Sequence, residues 1–294
     1  MSAVPGVITA PTQTVPRRRA GRTRGKGLVI TFLSVLFVTQ VYPLFWLIIY
    51  SLKTNEEILS GSFFSLPHSP QWMNYKDAYV AGTYLKYLFN SFLVTASTMA
   101  VVIVLCSMVA YAITRFRFKY SSVVMLVFLV GIMIPLQATL LPLMIIFKNL
   151  GILNTYLALI LPYISFSTPL AVFVLSGFMR TIPLEIEESA VMDGASIYRT
   201  FRSIILPISI PPIMTVSILT FISIWNEYIM ASTFISSQSL KTLPFGVYSF
   251  VSQYSVNYGA IGAFLVLGAL PVMLIYFVLS EKITKGMVAG AVKG

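Results

Sequence analysis

Six apolar stretches of membrane length divide this chain, at residues 28–51, 89–113, 122–147, 155–178, 209–233 and 259–280. Crossing a hydrocarbon core of about 30 Å takes roughly 20 apolar residues at about 1.5 Å each, so every stretch predicts one spanning α-helix. Pro135 and Pro142 interrupt the third stretch, and Pro211 and Pro212 the fifth, which leaves the ends of those two helices the least sharply defined. Pro162 and Pro169 in the fourth and Pro271 in the sixth also remove backbone donors, either as kinks for packing or at gates. The expected fold is an all-α membrane protein. A six-helix domain covers 28–281, between a disordered basic tail over 1–27 and a short tail over 282–294. The first stretch is longer than the 7–15 residues of a secretion signal's apolar region and lacks a following small-residue cleavage site, so it is expected to remain as a helix.

Composition supports a membrane protein: 57% of residues are hydrophobic and 10% charged, against about 25% charged in soluble proteins, and the mean hydropathy is +0.86. The net charge of +11 is spread over alternate loops, as topology signals are. Arg17, Arg18, Arg19, Arg22, Arg24 and Lys26 precede the first helix; Arg115, Arg117 and Lys119 follow the second; Arg180, Arg199 and Arg202 follow the fourth; Lys282, Lys285 and Lys293 end the chain. The other loops carry only Lys53, Lys76, Lys86, Lys148 and Lys241. Both termini and the 185–207 segment are therefore expected in the cytoplasm, with the multi-pass chain in a bacterial cytoplasmic membrane. Trp46, Trp72 and Trp225 fall toward the outer side, as an interfacial belt would. This distribution argues against nucleic acid as a partner and for contact of the basic tail with anionic lipid. Cys106 is the single cysteine and His68 the single histidine, so neither an intrachain disulfide nor a histidine metal site is expected.

The segment from Glu185 to Pro207 is charged and must lie in water, where it can touch a soluble partner. Pro183 suits a first helical turn, and Glu185, Glu187 and Glu188 favour the positive end of the helix dipole there. Gly194 can adopt the left-handed conformation that ends a helix, and Ser196 can cap a second one carrying Ile197, Phe201, Ile204 and Ile205 on one face. The predicted product is helix, glycine hinge, helix.

The spacing of Glu188-Ser189-Ala190, Gly194, Ile204, Leu206 and Pro207 resembles the EAA loop by which permease subunits of bacterial ABC importers grip their ATPase, with Ser189 where a second alanine usually stands. Asp193-Gly194-Ala195-Ser196, Trp225-Asn226-Glu227-Tyr228, Asn90-Ser91 and the terminal Gly290-Ala291-Val292-Lys293-Gly294 are similar to the MalG-like carbohydrate-uptake branch. The resemblance runs over about residues 28 to 294. It implies a type I importer in which the chain pairs with a homologous, MalF-like permease above an ABC ATPase dimer. An extracytoplasmic solute-binding protein would deliver a sugar or oligosaccharide. The ATPase-coupling residues would be Glu187, Glu188, Ala190, Asp193, Gly194, Ala195, Leu206 and Pro207.

A phosphate-cradling loop needs two glycines separated by four residues, then Lys and Ser or Thr. The nearest match, Gly21 to Gly27, has one residue too few and ends in Gly, so no ATPase site is expected here and ATP and Mg would belong to the partner. Glu227 is the one acidic residue inside a predicted span. At 18 residues beyond Ser209 it stands about 27 Å along the helix, near the outer mouth. An intramembrane charge costs about 2.5–3.5 kcal/mol on insertion scales, so Glu227 should face the protein interior, either bonding another helix or lining a pathway. Gln137, Asn226 and Glu227 offer donors and acceptors to sugar hydroxyls, and Trp225 and Tyr228 offer rings for stacking. A carboxylate pair placed for glycoside cleavage is not evident, so the substrate passes unchanged. The alternative, an ion-coupled secondary transporter, calls for internal repeats and several buried ionisable groups, neither of which the sequence displays.

Overall fold

The computed structural model describes residues 22–62, 64–116 and 118–291, with side chains between 26 and 277. Residues 1–21 of the expected basic tail, Arg117, and Val292, Lys293 and Gly294 lie outside the described residues. The chain divides into two units, Met1–Trp46 and Leu47–Gly294. The first holds most of α1 (Arg22–Ser51), which starts six residues before the expected Leu28 boundary. Within it the Thr39 hydroxyl donates to the Leu36 carbonyl at 2.8 Å, which satisfies a polar group in an apolar helix.

The second unit continues with α2 (Asn55–Leu59), α3 (Met73–Val80), α4 (Tyr84–Arg115), α5 (Ser121–Ile132), α6 (Leu136–Asn149) and α7 (Leu157–Met179). It then runs through α8 (Leu184–Met192), α9 (Ile197–Thr200), α10 (Leu206–Ile208), α11 (Ile210–Trp225), α12 (Ile229–Phe234) and α13 (Tyr258–Ala291). Among the described residues four helices are long and apolar enough to cross a membrane: Lys26–Ser51, α4, α7 and Tyr258–Phe277 of α13. Two bent helix pairs raise the number to six if each is one span. The helix of the last span continues to Ala291, past the expected end at 280.

Helix α4 shows why these sequences pack. Its buried positions Tyr87, Asn90, Ser91, Val94, Thr98, Val102, Cys106 and Ala110 recur every three or four residues, which puts them on one face. The end of that face packs with Ala171, Val172, Leu175 and Met179 of α7 in one buried cluster. Small residues on both helices let the backbones approach, the usual basis of helix association in lipid.

The third and fifth predicted spans depart from single straight helices. Over 122–147 the chain forms α5 and α6, which meet at 99°. Pro135 has no N–H and disfavours helical geometry at Ile134, so α5 ends and Pro135 caps α6 in an extended conformation. Pro142, by contrast, stays inside α6. The approach of α5 to α7 is close enough that a Cβ on Gly131 would lie 2.9 Å from Pro169 Cγ. In the fifth stretch Pro211 and Pro212 sit in the first turn of α11, where a missing donor costs nothing. That helix stops at Trp225, and the expected run to 233 resumes as α12 after a break over 226–228.

At the end of the unit bearing that break, buried polar side chains fasten the segment 235–243. Asn90 Nδ2 donates to the carbonyls of Ser239 (2.9 Å) and Lys241 (2.8 Å), and Tyr156 donates to Asn90 Oδ1 at 2.7 Å. Ser91 Oγ accepts the Leu243 N–H at 2.7 Å, and Tyr87 donates to Gln238 at 2.7 Å. Asn154, at φ 61°, accepts the N–H groups of Ser236 and Ser237. Lys241 is buried, donates to the Ile235 carbonyl and lies 3.8 Å from the Phe245 ring centroid; burial pushes its pKa down. At this same end Thr54 and Glu57 form a capping box on α2. The His68 and Thr54 N–H groups hold the Glu57 carboxyl at about 2, and the His68 ring lies 3.0 Å from it.

Candidate functional site

The 184–208 loop forms as its sequence dictates. Helix α8 follows extended Pro183 with Glu185 and Glu187 in its first turn. It closes in a Schellman motif: the Ala195 N–H donates to the Ala190 carbonyl and the Gly194 N–H to the Val191 carbonyl, both at 2.9 Å. Gly194 takes φ +80°, and a Cβ built there would meet nothing within 4 Å. Its requirement is therefore conformational rather than one of space. Ser196 caps α9, accepting the Arg199 N–H at 3.4 Å. A π-helical turn, Phe201–Ile205, joins α9 to α10, with the Leu206 N–H donating to the Phe201 carbonyl. Pro207 cannot donate, and Ile197–Ile208 meets α11 at 71°.

The predicted coupling residues separate into two groups. Glu188, Asp193, Gly194 and Pro207 are exposed, whereas Ala190 is buried and Glu187, Ala195 and Leu206 are partly buried. Met192 and Tyr198 stand 86% and 81% exposed at the tips of the two short helices. Glu187 turns the other way, onto the end of α4. Arg115 Nε lies 2.5 Å from Glu187 Oε1, Tyr111 donates to Glu187 Oε2 at 2.9 Å, and Arg115 Nη2 donates to the Ile182 carbonyl at 2.8 Å. The side chains of Arg115 and Glu187 are 7% and 12% exposed. Removing one partner of such a pair costs about 3–5 kcal/mol, because the other charge is stranded. Sequence reasoning took Arg115 as a topology charge and left Tyr111 out.

The predicted pathway residues are divided as well. Glu227 lies at the break between α11 and α12, partly buried. Its carboxylate accepts the Tyr163 hydroxyl at 2.5 Å and the N–H groups of Met230 (2.8 Å) and Ala231 (3.3 Å), so it caps α12 and joins α7 to it. It also borders a cavity of about 110 Å³ between α7 and α11, with Tyr163, Ser167, Thr220 and Ser223 in the wall. Those four were missed, since isolated hydroxyls in apolar stretches carry no pattern. Asn226 is exposed and donates to the Ile222 carbonyl at 2.9 Å. Tyr228 stacks on Tyr248 and Phe245, with centroids 5.4 and 6.2 Å away. Gln137 is exposed on α6 and does not border the cavity. Trp225 is 3% exposed and stacked on Phe221 at 5.1 Å, which makes it a core residue and removes it from the expected interfacial belt. The cavity wall is mostly apolar, with Leu170, Val216, Leu219 and Ile224 among its residues, and sets into that surface four hydroxyls, one carboxylate and the rings of Tyr163 and Phe166, groups that can bond a polyhydroxylated solute without cleaving it. Among the described residues no group of three His, Cys, Asp or Glu side chains could hold a metal ion.

The family described as binding-protein-dependent transport system inner membrane component matches residues 102–287. The sulfoquinovosyl glycerol transport system permease protein SmoH of Agrobacterium fabrum is 32% identical over 92% of this chain and 95% of its own length. The galactooligosaccharides transport system permease protein GanQ of Bacillus subtilis is 32% identical over 94% of this chain and 98% of its own. A chain in the crystal structure of a bacterial ABC transporter involved in the import of the acidic polysaccharide alginate shares the fold. Its TM-score is 0.78 at 18% identity, covering 91% of this chain and 99% of that one.

Proposed function

We propose a mechanism of sugar import from one premise: the chain belongs to the family of binding-protein-dependent transport system inner membrane components, and it is a multi-pass permease subunit of an ABC importer. In this reading it forms half of a translocation pathway for a sugar or oligosaccharide, and a homologous permease forms the other half. A solute-binding protein delivers the substrate outside, and a separate ATPase dimer binds ATP and Mg inside. The loop between α7 and α11 is the coupling element, and the cavity at Tyr163, Ser167, Thr220, Ser223 and Glu227 is this subunit's share of the pathway. The two relatives named above are permease proteins of a sulfoquinovosyl glycerol and of a galactooligosaccharides transport system, and the hydroxyls and carboxylate in the cavity wall suit such a cargo.

The observation that carries the reading is the loop's two-sidedness. Its buried side is fastened to α4 through Glu187, while Met192 and Tyr198 are exposed on helices too short to be stable alone. Exposed apolar side chains on a rigid mount gain from burial against a partner, and Glu188 and Asp193 beside them set the charge that partner must match. ATP-driven closure of the ATPase would then displace the loop and open or close the cavity by rigid-body rocking of the helices.

The alternation of Lys and Arg supports a cytoplasmic position for this loop. Cysteines at Ser62 and Gln238 are expected to react with an impermeant thiol reagent in intact cells, and one at Ser196 is not. In inverted vesicles the Ser196→Cys variant should react rapidly once the ATPase subunits are stripped and slowly when they are restored. Labelling of Ser196→Cys in intact cells with Ser62→Cys protected would reverse the orientation. Equal rates with and without ATPase would contradict docking at the loop.

A further inference from the structure

We propose that Arg115 and Tyr111 are positioning residues that latch the coupling helix to the second span, so that α4 moves with the loop when the ATPase displaces it. The inference rests on the reading of the loop as the ATPase dock and adds a route by which the displacement enters the membrane.

Chain connectivity alone ties α8 to α7 and the α9–α10 segment to α11. The latch adds a third attachment. Both oxygens of Glu187 are engaged, Oε1 by Arg115 Nε and Oε2 by the Tyr111 hydroxyl. The same guanidinium reaches the Ile182 carbonyl just before Pro183, so one side chain holds the entry to α8 and its first turn. The Tyr111 ring packs 5.1 Å from the Phe201 ring, in the second half of the loop. One turn of α4 therefore grips the loop on both sides of the Gly194 hinge. The pair is nearly excluded from water, where screening weakens it little, and a planar guanidinium held by an ion pair on one side and a hydrogen bond to the Ile182 carbonyl on the other resists rotation.

The opposite end of α4 is held in the same manner. Asn90, Ser91 and Tyr87 bind the 238–243 segment through four hydrogen bonds of 2.7–2.9 Å. A helix of 32 residues spans about 48 Å, so α4 is a rod clamped to the coupling loop at one end and to that segment at the other. Of the loop's carboxylates, exposed Glu185, Glu188 and Asp193 remain for the ATPase, and Glu187 is committed to the chain's own α4.

The test uses the complete complex in proteoliposomes with sugar-loaded binding protein, reading ATP hydrolysis and sugar uptake together. Arg115→Met keeps the length of the side chain and removes its charge and donors. The expected result is retention of the ATPase subunits and of basal hydrolysis, with uptake per ATP lowered at least about tenfold. Arg115→Lys, which keeps the charge but loses the fixed fork that reaches Glu187 and the Ile182 carbonyl together, should fall between wild type and Arg115→Met, and Tyr111→Phe, which keeps the ring, should lower uptake per ATP by about two- to fivefold. Wild-type uptake per ATP in assembled Arg115→Met or Tyr111→Phe complexes would overturn the latch, as would loss of the ATPase from the Arg115→Met complex, which would make the residue part of the dock alone. If Arg115→Met fails to assemble at all, Tyr111→Phe decides by the same criterion. Glu188→Lys separates this inference from the docking reading: if Glu188→Lys abolishes uptake and the α4 variants do not, only the latch fails, and if Glu188→Lys is also silent, the docking reading fails with it.

Discussion

Gly194→Val is expected to abolish transport while leaving the subunit in the membrane. Gly194 holds φ +80° and the two Schellman hydrogen bonds that aim α9 away from α8. The left-handed conformation costs an ordinary residue about 1–2 kcal/mol and a β-branched one more, and each lost hydrogen bond adds about 1 kcal/mol. The sum, about 2–4 kcal/mol, lowers the population of the correctly bent loop by a factor of roughly 30 or more. The space around the position is open, so Gly194→Asn, which enters the left-handed region readily, should transport at close to the wild-type rate. Glu188→Lys should resemble the valine variant, because it reverses charge on the exposed docking face; Glu188 stands past the first turn of α8, so the helix dipole adds little. Sugar uptake and retained ATPase, measured on complexes of the three variants, check the series. Valine and lysine complexes with full substrate-stimulated hydrolysis would remove the coupling role from this loop.

Glu227→Leu should lose transport and stability together. The substitution strands the Tyr163 hydroxyl and the N–H groups of Met230 and Ala231, and each unmet buried polar group costs about 1–3 kcal/mol. It also takes the one carboxylate out of the cavity wall. Glu227→Gln keeps one acceptor oxygen, which can still serve the Tyr163 hydroxyl and the Ala231 N–H, but turns its NH2 toward the Met230 N–H; it should assemble with a smaller loss of stability than the leucine variant and with altered transport kinetics. Adding Tyr163→Phe to Glu227→Leu removes one orphaned hydroxyl and is expected to recover part of the thermal stability in detergent. Transport should not return, because the wall has lost two of its polar groups. Recovery of both properties would reduce Glu227 to a brace between α7 and α12, and a stable Glu227→Leu complex transporting at the wild-type rate would remove both roles.

These residues also mark what could be read from the sequence. Gly194, Ser196 and Pro183 act on their own neighbours, so the hinge and both caps were legible residue by residue. Pro135 announced a break in the third stretch through local sterics, but the 99° turn depends on how α6 packs and has no sequence signature. The break after Trp225 was not anticipated, since Asn226 and Glu227 interrupt an apolar run without a proline. Glu227 stood out because a charge in a span needs a partner. Its partner Tyr163 did not, being one hydroxyl in an apolar helix. The Arg115, Tyr111 and Glu187 cluster joins positions up to 76 apart, a relation that no periodicity encodes. Trp225 and Tyr228 are aromatics three positions apart with different environments, one inside the core and one in a separate aromatic stack, and only the bend of the chain tells them apart.

Uptake into proteoliposomes tests the central claim most directly. The chain, its homologous permease, the ATPase dimer and the binding protein are reconstituted, and radiolabelled sugar and ATP hydrolysis are followed with and without each component. Uptake is expected only when all are present with ATP, and hydrolysis should rise at least several-fold on adding loaded binding protein. Uptake by the purified chain alone, driven by a proton or sodium gradient without ATP, would contradict the account and establish an ion-coupled transporter instead.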